Sequence, residues 1–155
     1  MVLAPSAGGK STLMRYLREH TDLHIAETDE EVVKANNNEW PSDDEYKDSV
    51  LIPQTTSEII SRAEVVYFMK DVPVDLLKKA RQNGFKVVVL KLTINQLKDR
   101  NTKRMKEEGY DDASQWLQGQ LDELDRLNHQ GLVDVIIDGN LPTPRIADEI
   151  LGLIK

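Results

Sequence analysis

The sequence predicts an α/β fold, a parallel sheet with helices on both faces, and three observations carry that prediction. Apolar strand-like runs alternate with amphipathic stretches along the whole chain, the pattern of parallel strands joined by right-handed helical crossovers. Glu64-Val65-Val66-Tyr67-Phe68-Met69 and Lys86-Val87-Val88-Val89-Leu90-Lys91-Leu92 are nearly continuous apolar runs, as expected of strands buried on both faces. The opening Met1-Val2-Leu3 leads into the loop Ala4-Pro5-Ser6-Ala7-Gly8-Gly9-Lys10-Ser11-Thr12 and then into an amphipathic helix. In such folds ligands bind at the carboxyl ends of the strands. A chain of 155 residues, 39% hydrophobic and 30% charged, suffices for one full core and falls short of two. Residues 1–155 are therefore expected to form a single domain.

Each element has a local reason. The first strand, Met1 to Leu3, spans only about 10 Å at about 3.3 Å per residue, so as a central strand it must be held by its neighbours. Lys10 to about Arg18 is helical, with Leu13, Met14 and Leu17 at helical spacing. Leu23-His24-Ile25-Ala26 reads as a short second strand ending at Glu27-Thr28-Asp29. Thr28 or Asp29 is expected to cap the next helix, Glu31 completing a capping-box pattern with Thr28. The run Asn36-Asn37-Asn38 with Pro41 breaks structure. Two helical pieces follow, Asp43 to Val50 and Pro53 to Ser61, the second opening on its proline. Between the two long strands, Val74 to Ala80 is an amphipathic helix closed by Asn83-Gly84, a left-handed cap signal. A long helical region starts near Ile94, is punctuated at Gly109, and resumes from about Asp112 to Asn128 with Trp116, Leu117, Leu121, Leu124 and Leu127 on one face. Val133 to Ile137 is the last strand, and Pro142 to Ile154 the closing helix.

The loop after the first strand reads as a phosphate-binding loop. The Walker A pattern G-x-x-x-x-G-K-[ST] is matched at Gly9, Lys10 and Ser11, with Ala4 in place of the first glycine. The chemistry needs backbone N–H groups curled around a β-phosphate, a lysine reaching the β/γ oxygens and a hydroxyl on Mg²⁺. Ser6, Ala7, Gly8 and Gly9 supply the curl, Lys10 the cation and Ser11 the metal-binding hydroxyl. Thr12 either contacts the α-phosphate or hydrogen-bonds back into its own helix.

Composition narrows the partners. A formal charge of −7 disfavours general attraction to nucleic acid or an anionic membrane, so the expected ligand is a small anion. No run of about 20 apolar residues spans a membrane, no charged n-region precedes an apolar core, and a cytoplasmic protein is expected, as a monomer. With no cysteine and only His20, His24 and His129, disulfides, thiolate catalysis and cysteine-based zinc sites are excluded and histidine ligand spacing is absent. Any metal should arrive with the nucleotide.

Further candidates sit where strands end. Asp71, just past the third strand, is placed to hold a water on Mg²⁺ or to cap the helix near Pro73. Asp29, past the second strand, either accepts a substrate hydroxyl proton or binds the second shell of metal-bound water, or else caps a helix. Lys98 to Lys106 holds five basic residues and one acid. Within it Arg100 and Arg104, at i,i+4, share a helix face and offer two guanidinium groups to transferring phosphates. Asn140, in the turn Asp138-Gly139-Asn140-Leu141-Pro142, belongs to backbone that could line an adenine pocket or simply turn the chain. Trp40, Tyr46 and the asparagine run lie where an acceptor would be covered, and Arg62 is a candidate for an acceptor anion or a helix C-terminal charge.

In this order of parts the chain resembles the small P-loop kinases of the nucleoside monophosphate kinase and shikimate/gluconate kinase group. The residues that carry the resemblance are the loop at Gly8 to Thr12, Asp29 after the second strand, Asp71-Val72-Pro73 after the third, and the Arg100/Arg104 helix before a short lid. The resemblance implies a three-layer α/β/α P-loop NTPase fold with a five-stranded parallel sheet in order 2-3-1-4-5. It further implies an acceptor-covering segment over about 30–62, a lid over about 100–115, ATP and Mg²⁺ as cofactors, and phosphoryl transfer to a small acceptor. The chain departs from the group's patterns in several places. Besides Ala4, it lacks the Asp-Gly-x-Pro-Arg string of adenylate kinases and the Gly-Gly-Gly acceptor motif of shikimate kinases, and Glu27-Thr28-Asp29 replaces the latter's aspartate pair. It also has no zinc-finger lid insertion.

Lys10, Asp29, Arg100 and Arg104 are thus the expected catalytic residues. Ser6 to Thr12, Arg100 and Asn140 are expected to bind the nucleotide, and Ser11 with Asp71 the metal. A nucleotide or nucleoside is the first expected acceptor, with a sugar acid or other hydroxylated metabolite next. Two rival readings stay open. One is a nucleotide-binding module that works by conformational change, and the other is a polynucleotide 5′-hydroxyl kinase using the basic cluster, which predicts salt-dependent oligonucleotide binding.

Overall fold

A computed structural model describes residues 1–62 and 64–154. Five parallel strands, β1 (Val2–Leu3), β2 (His24–Glu27), β3 (Val65–Met69), β4 (Val88–Lys91) and β5 (Val135–Asp138), form one sheet in the order β2-β3-β1-β4-β5. β1 has two residues, yet it pairs on both sides, Val2 with Phe68 and Val88, Leu3 with Met69 and Val89. Both of its side chains are buried, so its neighbours hold it.

The alternation along the strands separates two cores. Leu3, Tyr67, Met69 and Val89 face one side, where they meet Ile59 and Ile60 of α4 (Ile52–Ile60), Leu77 and Ala80 of α5 (Val74–Gln82), and Leu124 and Leu127 of α7 (Ser114–His129). Val2, Val66, Phe68, Val88 and Leu90 face the other, against Leu13, Met14 and Leu17 of α1 (Lys10–His20) and Ile146, Ala147 and Ile150 of α8 (Thr143–Ile154). The result is a three-layer α/β/α sandwich in which the central strands are covered on both faces, as the continuous apolar runs require, while the edge strand β5 leaves Ile136 exposed.

Two helical parts depart from regular geometry where the site lies. α3 (Asp44–Tyr46) passes into a π-helical turn, Lys47–Leu51, before α4 begins. The wide turn stands one turn ahead of Pro53, whose ring would clash with the Ser49 carbonyl in a straight α-helix. α6 (Ile94–Glu108) ends on Gly109 in the left-handed conformation, and a short turn leads into α7. Leu92, Leu97, Ala113 and Leu117 form a small cluster at this hairpin.

One capping expectation is corrected. Glu27, rather than Thr28 or Asp29, caps α2 (Thr28–Ala35), its carboxylate accepting the Glu30 N–H at 3.3 Å. The pairing of Glu27 with Phe68 sets where β2 stops, and Thr28 turns inward, donating to the Phe68 carbonyl at 3.3 Å.

Candidate functional site

The loop that follows β1 curls because its backbone is special at three positions. Ala7 (φ 59°) and Gly9 (φ 91°) are left-handed, and at Gly8 a Cβ would stand 2.7 Å from the Pro5 carbonyl oxygen, so the turn closes only around a glycine. Left-handed residues of this kind let a loop form an anion-binding concavity; here the Gly8 N–H closes the turn on the Pro5 carbonyl at 3.0 Å. α1 then starts at Lys10 with no side-chain cap and no acid in its first turn, leaving its first N–H groups and the positive end of its dipole for a ligand. Ala4 does not obstruct this geometry. Its methyl is fully buried in the α1/α8 core while its N–H donates to the Met69 carbonyl at 3.2 Å.

Lys10 folds back across the loop, its Nζ donating to the Ala4 carbonyl at 3.0 Å and the Pro5 carbonyl at 3.2 Å. Burial pushes its ammonium down from 10.5 to about 8; Glu27 opposes the shift most, and the neighbouring Lys70 adds to it. The same crowding acts on Glu27, whose carboxyl is pushed up by burial and by the charge of Asp29.

The loop forms the floor of a cleft of about 1020 Å³ along the carboxyl ends of the strands. Of the residues the sequence singles out, Ser6 to Thr12, Asp29, Asp71, Arg100 and Arg104 all line it, as does Trp40. Asn140 and Arg62 are not among the lining residues. Asn140 instead closes the turn after β5, its N–H donating to the Asp138 carboxylate at 2.8 Å. Neither Asp29 nor Asp71 is spent on capping, since α2 is capped by Glu27 and α5 by no side chain. Asp71 lies 3.8 Å from the Lys70 ammonium.

Arg100 and Arg104 share a helix face but have different partners. Arg100 lies over the loop, 3.4 Å from where a Cβ on Gly9 would be, and donates to the Gly139 carbonyl at 2.9 Å. Arg104 sits farther along, over the Tyr110 ring at 5.0 Å and donating to the Asn101 side chain at 3.2 Å. Asn101, buried, ties the hairpin together: its amide nitrogen donates to Asp112 at 2.7 Å and its oxygen accepts the Ala113 N–H at 3.3 Å.

Several cleft residues carry no local sequence signal. Gln120 on α7 accepts the Ser6 N–H at 2.8 Å and donates to the Ser6 hydroxyl at 3.2 Å. Lys47, Asp48 and Lys70 also line the cleft, as do two residues the sequence reads otherwise, Glu27 at the end of β2 and Trp116, expected on the apolar face of α7 but 55% exposed. The donor set fits a nucleotide with its metal: a glycine-tight amide concavity, an open helix start and a lysine converge there, with the Ser11 hydroxyl and the Asp71 carboxylate on the same cleft. Among the described residues no group of three or more histidine, aspartate or glutamate side chains could hold a metal by itself. No helix among them is long and apolar enough to cross a membrane.

No family model matches the chain, and no curated protein matches it in sequence. Solved structures do match it in fold. Shikimate kinase from Acinetobacter baumannii, in complex with shikimate, superposes with a TM-score of 0.76 at 20% identity, covering 99% of this chain and 90% of that one. A gluconokinase from Sinorhizobium meliloti gives 0.63 at 19% identity, covering 99% and 89%. The tunicamycin resistance protein of Deinococcus radiodurans gives 0.65 at 16% identity, covering 99% and 92%. The strand order β2-β3-β1-β4-β5 and the helices on both faces are those of the P-loop kinase fold.

Proposed function

We propose that the protein is a small-molecule kinase that transfers the γ-phosphoryl group of ATP to a hydroxyl of a small acceptor. The observation that carries this reading is the opening of one cleft onto both the phosphate loop with Lys10 and a set of unspent strand-end carboxylates, Asp29 and Asp71. A nucleotide-binding switch would share the loop, Lys10 and a metal-side carboxylate such as Asp71, and has no need of the second carboxylate, Asp29. The fold neighbours named as kinases support the same reading.

In this mechanism the loop Ser6 to Thr12, through its unpaired amides and the Lys10 ammonium, binds and orients the β- and γ-phosphates. Ser11 and Asp71 would hold Mg²⁺, which would supply charge neutralisation to the phosphates. Asp29 takes the proton of the acceptor hydroxyl as its oxygen forms the new bond to the γ-phosphorus. The bond from that phosphorus to the β–γ bridging oxygen breaks, and ADP leaves with the electron pair. Arg100 and Arg104 stabilise charge on the transferring group, Arg100 from its place above Gly9 and Arg104 from the hairpin that forms a short lid. The working unit is a monomer in the cytoplasm, with no nucleic-acid partner. The test is ADP release from Mg-ATP against nucleosides, nucleoside monophosphates, shikimate, gluconate and a 5′-hydroxyl oligonucleotide. Stimulation by one acceptor, lost in Lys10→Ala, is expected. ATP binding with silence across the panel would favour the switch.

A further inference from the structure

Beyond the phosphate loop the cleft changes sign. Toward α6 its lining side chains are Arg100, Lys103 and Arg104 with one acid, Glu108. Toward the ends of β2 and β3 and the π-helical turn they are Glu27, Asp29, Asp48 and Asp71 against two lysines, Lys47 and Lys70. Both lysines are already matched: Lys47 lies 3.0 Å from Asp44 and 3.5 Å from Asp48, and Lys70 lies 3.8 Å from Asp71. The arginines stand on the α6 side, Arg100 donating one hydrogen bond to the Gly139 carbonyl and Arg104 one to Asn101. A carboxylate or phosphate on the acceptor would therefore enter a region of net negative charge, already facing the γ-phosphate, while the guanidinium groups stand on the α6 side of the cleft.

The second observation concerns flat surfaces. The chain has only two tryptophans, and both line this cleft with about half of their surface exposed, Trp40 at 53% and Trp116 at 55%. Trp40 stands in the segment that leads into α3, with the Lys47 ammonium 5.5 Å from its ring centre. Trp116 stands on the first turns of α7, one turn before Gln120, which grips Ser6. Indole rings at a cleft wall offer stacking faces to a flat or ring-shaped ligand, and an electron-rich face attracts a cation.

We propose that the acceptor is an uncharged or cationic hydroxylated ring compound, of the kind represented by a nucleoside or an amino sugar, and not a carboxylate or a phosphate ester. This rests on the kinase reading for the word acceptor, while the binding preference stands on the cleft alone. The two tryptophans give the test its signal. With the protein saturated by Mg²⁺ and a non-hydrolysable ATP analogue, two matched pairs are titrated while tryptophan emission is read: guanosine against its 5′-monophosphate, and glucosamine against gluconate. The neutral or cationic member of at least one pair is expected to shift the emission and bind at least about tenfold more tightly than its anionic partner. Asp48→Asn should narrow that ratio about three- to fivefold, as removal of one nearby charge does at a partly solvated site. Equal or tighter binding of the anionic member, or no response to either guanosine or glucosamine, would overturn the proposal. Parallel ADP release from Mg-ATP keeps the two readings apart. Lys10-dependent phosphorylation of gluconate would leave the kinase reading standing and remove this one. Binding of guanosine or glucosamine with no transfer would do the reverse.

Discussion

Gln120 holds Ser6 by two hydrogen bonds, its side-chain oxygen on the Ser6 N–H at 2.8 Å and its nitrogen on the Ser6 hydroxyl at 3.2 Å. A residue of the phosphate loop is thereby fastened to α7, the helix that follows the Gly109 turn, across 114 positions of sequence. Gln120→Ala frees both groups, at a cost of about 1 kcal/mol or about fivefold in kcat/KM for ATP. Gln120→Glu keeps an acceptor for the Ser6 N–H but sets a carboxylate beside the phosphates, so its melting temperature should stay near that of the parent while ATP binding weakens. Steady-state kinetics with thermal melts separate the two, and unchanged ATP kinetics in Gln120→Ala would show that the clamp does not position the loop.

Lys10 gives the site a pH dependence with a definite sign. Its ammonium, lowered from 10.5 to about 8 by burial, is the form that binds phosphate, and a terminal phosphate with a pKa of about 6 is already fully charged there. ATP affinity in the free protein should therefore fall as pH rises through about 8, approaching tenfold per pH unit. Folding stability moves the other way. The unfolded chain holds this proton up to 10.5, so the burial penalty is fully present below about pH 8 and is relieved as pH rises from 8 toward 10.5. The stability difference between Lys10→Met and the parent should shift in the parent's favour over that window. Calorimetric ATP titrations and melts at pH 7, 8 and 9.5 check both signs.

The two small residues at the loop's turn are not interchangeable. Gly8→Ala places a methyl 2.7 Å from the Pro5 carbonyl oxygen and 3.1 Å from the Ala4 Cβ, which forces the curl open and should cost ATP affinity at least about tenfold, in line with a loss of about 1.4 kcal/mol or more. Ala4→Gly, which restores the usual first glycine, removes a buried methyl and adds backbone freedom. It should destabilise the fold by about 1 kcal/mol without improving ATP binding. Tighter binding by Ala4→Gly would mean that the alanine compromises the loop.

Asn101 controls the hairpin that carries Arg104. Asn101→Ala removes partners of Asp112, Ala113 and Arg104 at a buried position and should cost about 2 kcal/mol, a fall in melting temperature of roughly 4–8 °C for a chain of this size. If the hairpin acts as a lid, kcat should fall more than the ATP dissociation constant rises. A stability loss with kinetics intact would make Asn101 purely structural.

Most of the architecture was legible in the sequence because it rests on local patterns. The runs at Val65–Met69 and Val88–Lys91, the glycine-lysine-serine step into α1 and the left-handed turn at Gly109 all announce themselves within a few residues. What escaped depends on distance or register. Glu27 became the cap of α2 because pairing with Phe68 ends β2 there, although Thr28 is the better capping residue by type. The sequence places Arg100 and Arg104 on one helix face, but which carbonyl or ring each meets is decided by Gly139 and Tyr110, which are set by other elements. Gln120 stands in the polar stretch Gln118-Gly119-Gln120 of an amphipathic helix, where nothing marks one glutamine as the partner of Ser6. Of the turn after β5, Gly139 and Leu141 line the cleft, while the Asn140 N–H is taken by its own Asp138.

Phosphorus NMR of Mg-ATP turnover with an accepted hydroxyl compound tests the central claim most directly. The account predicts loss of the γ-phosphate resonance with equal growth of a phosphomonoester signal on the acceptor, absent in Lys10→Ala. Growth of inorganic phosphate alone, at a rate indifferent to every acceptor, would contradict it.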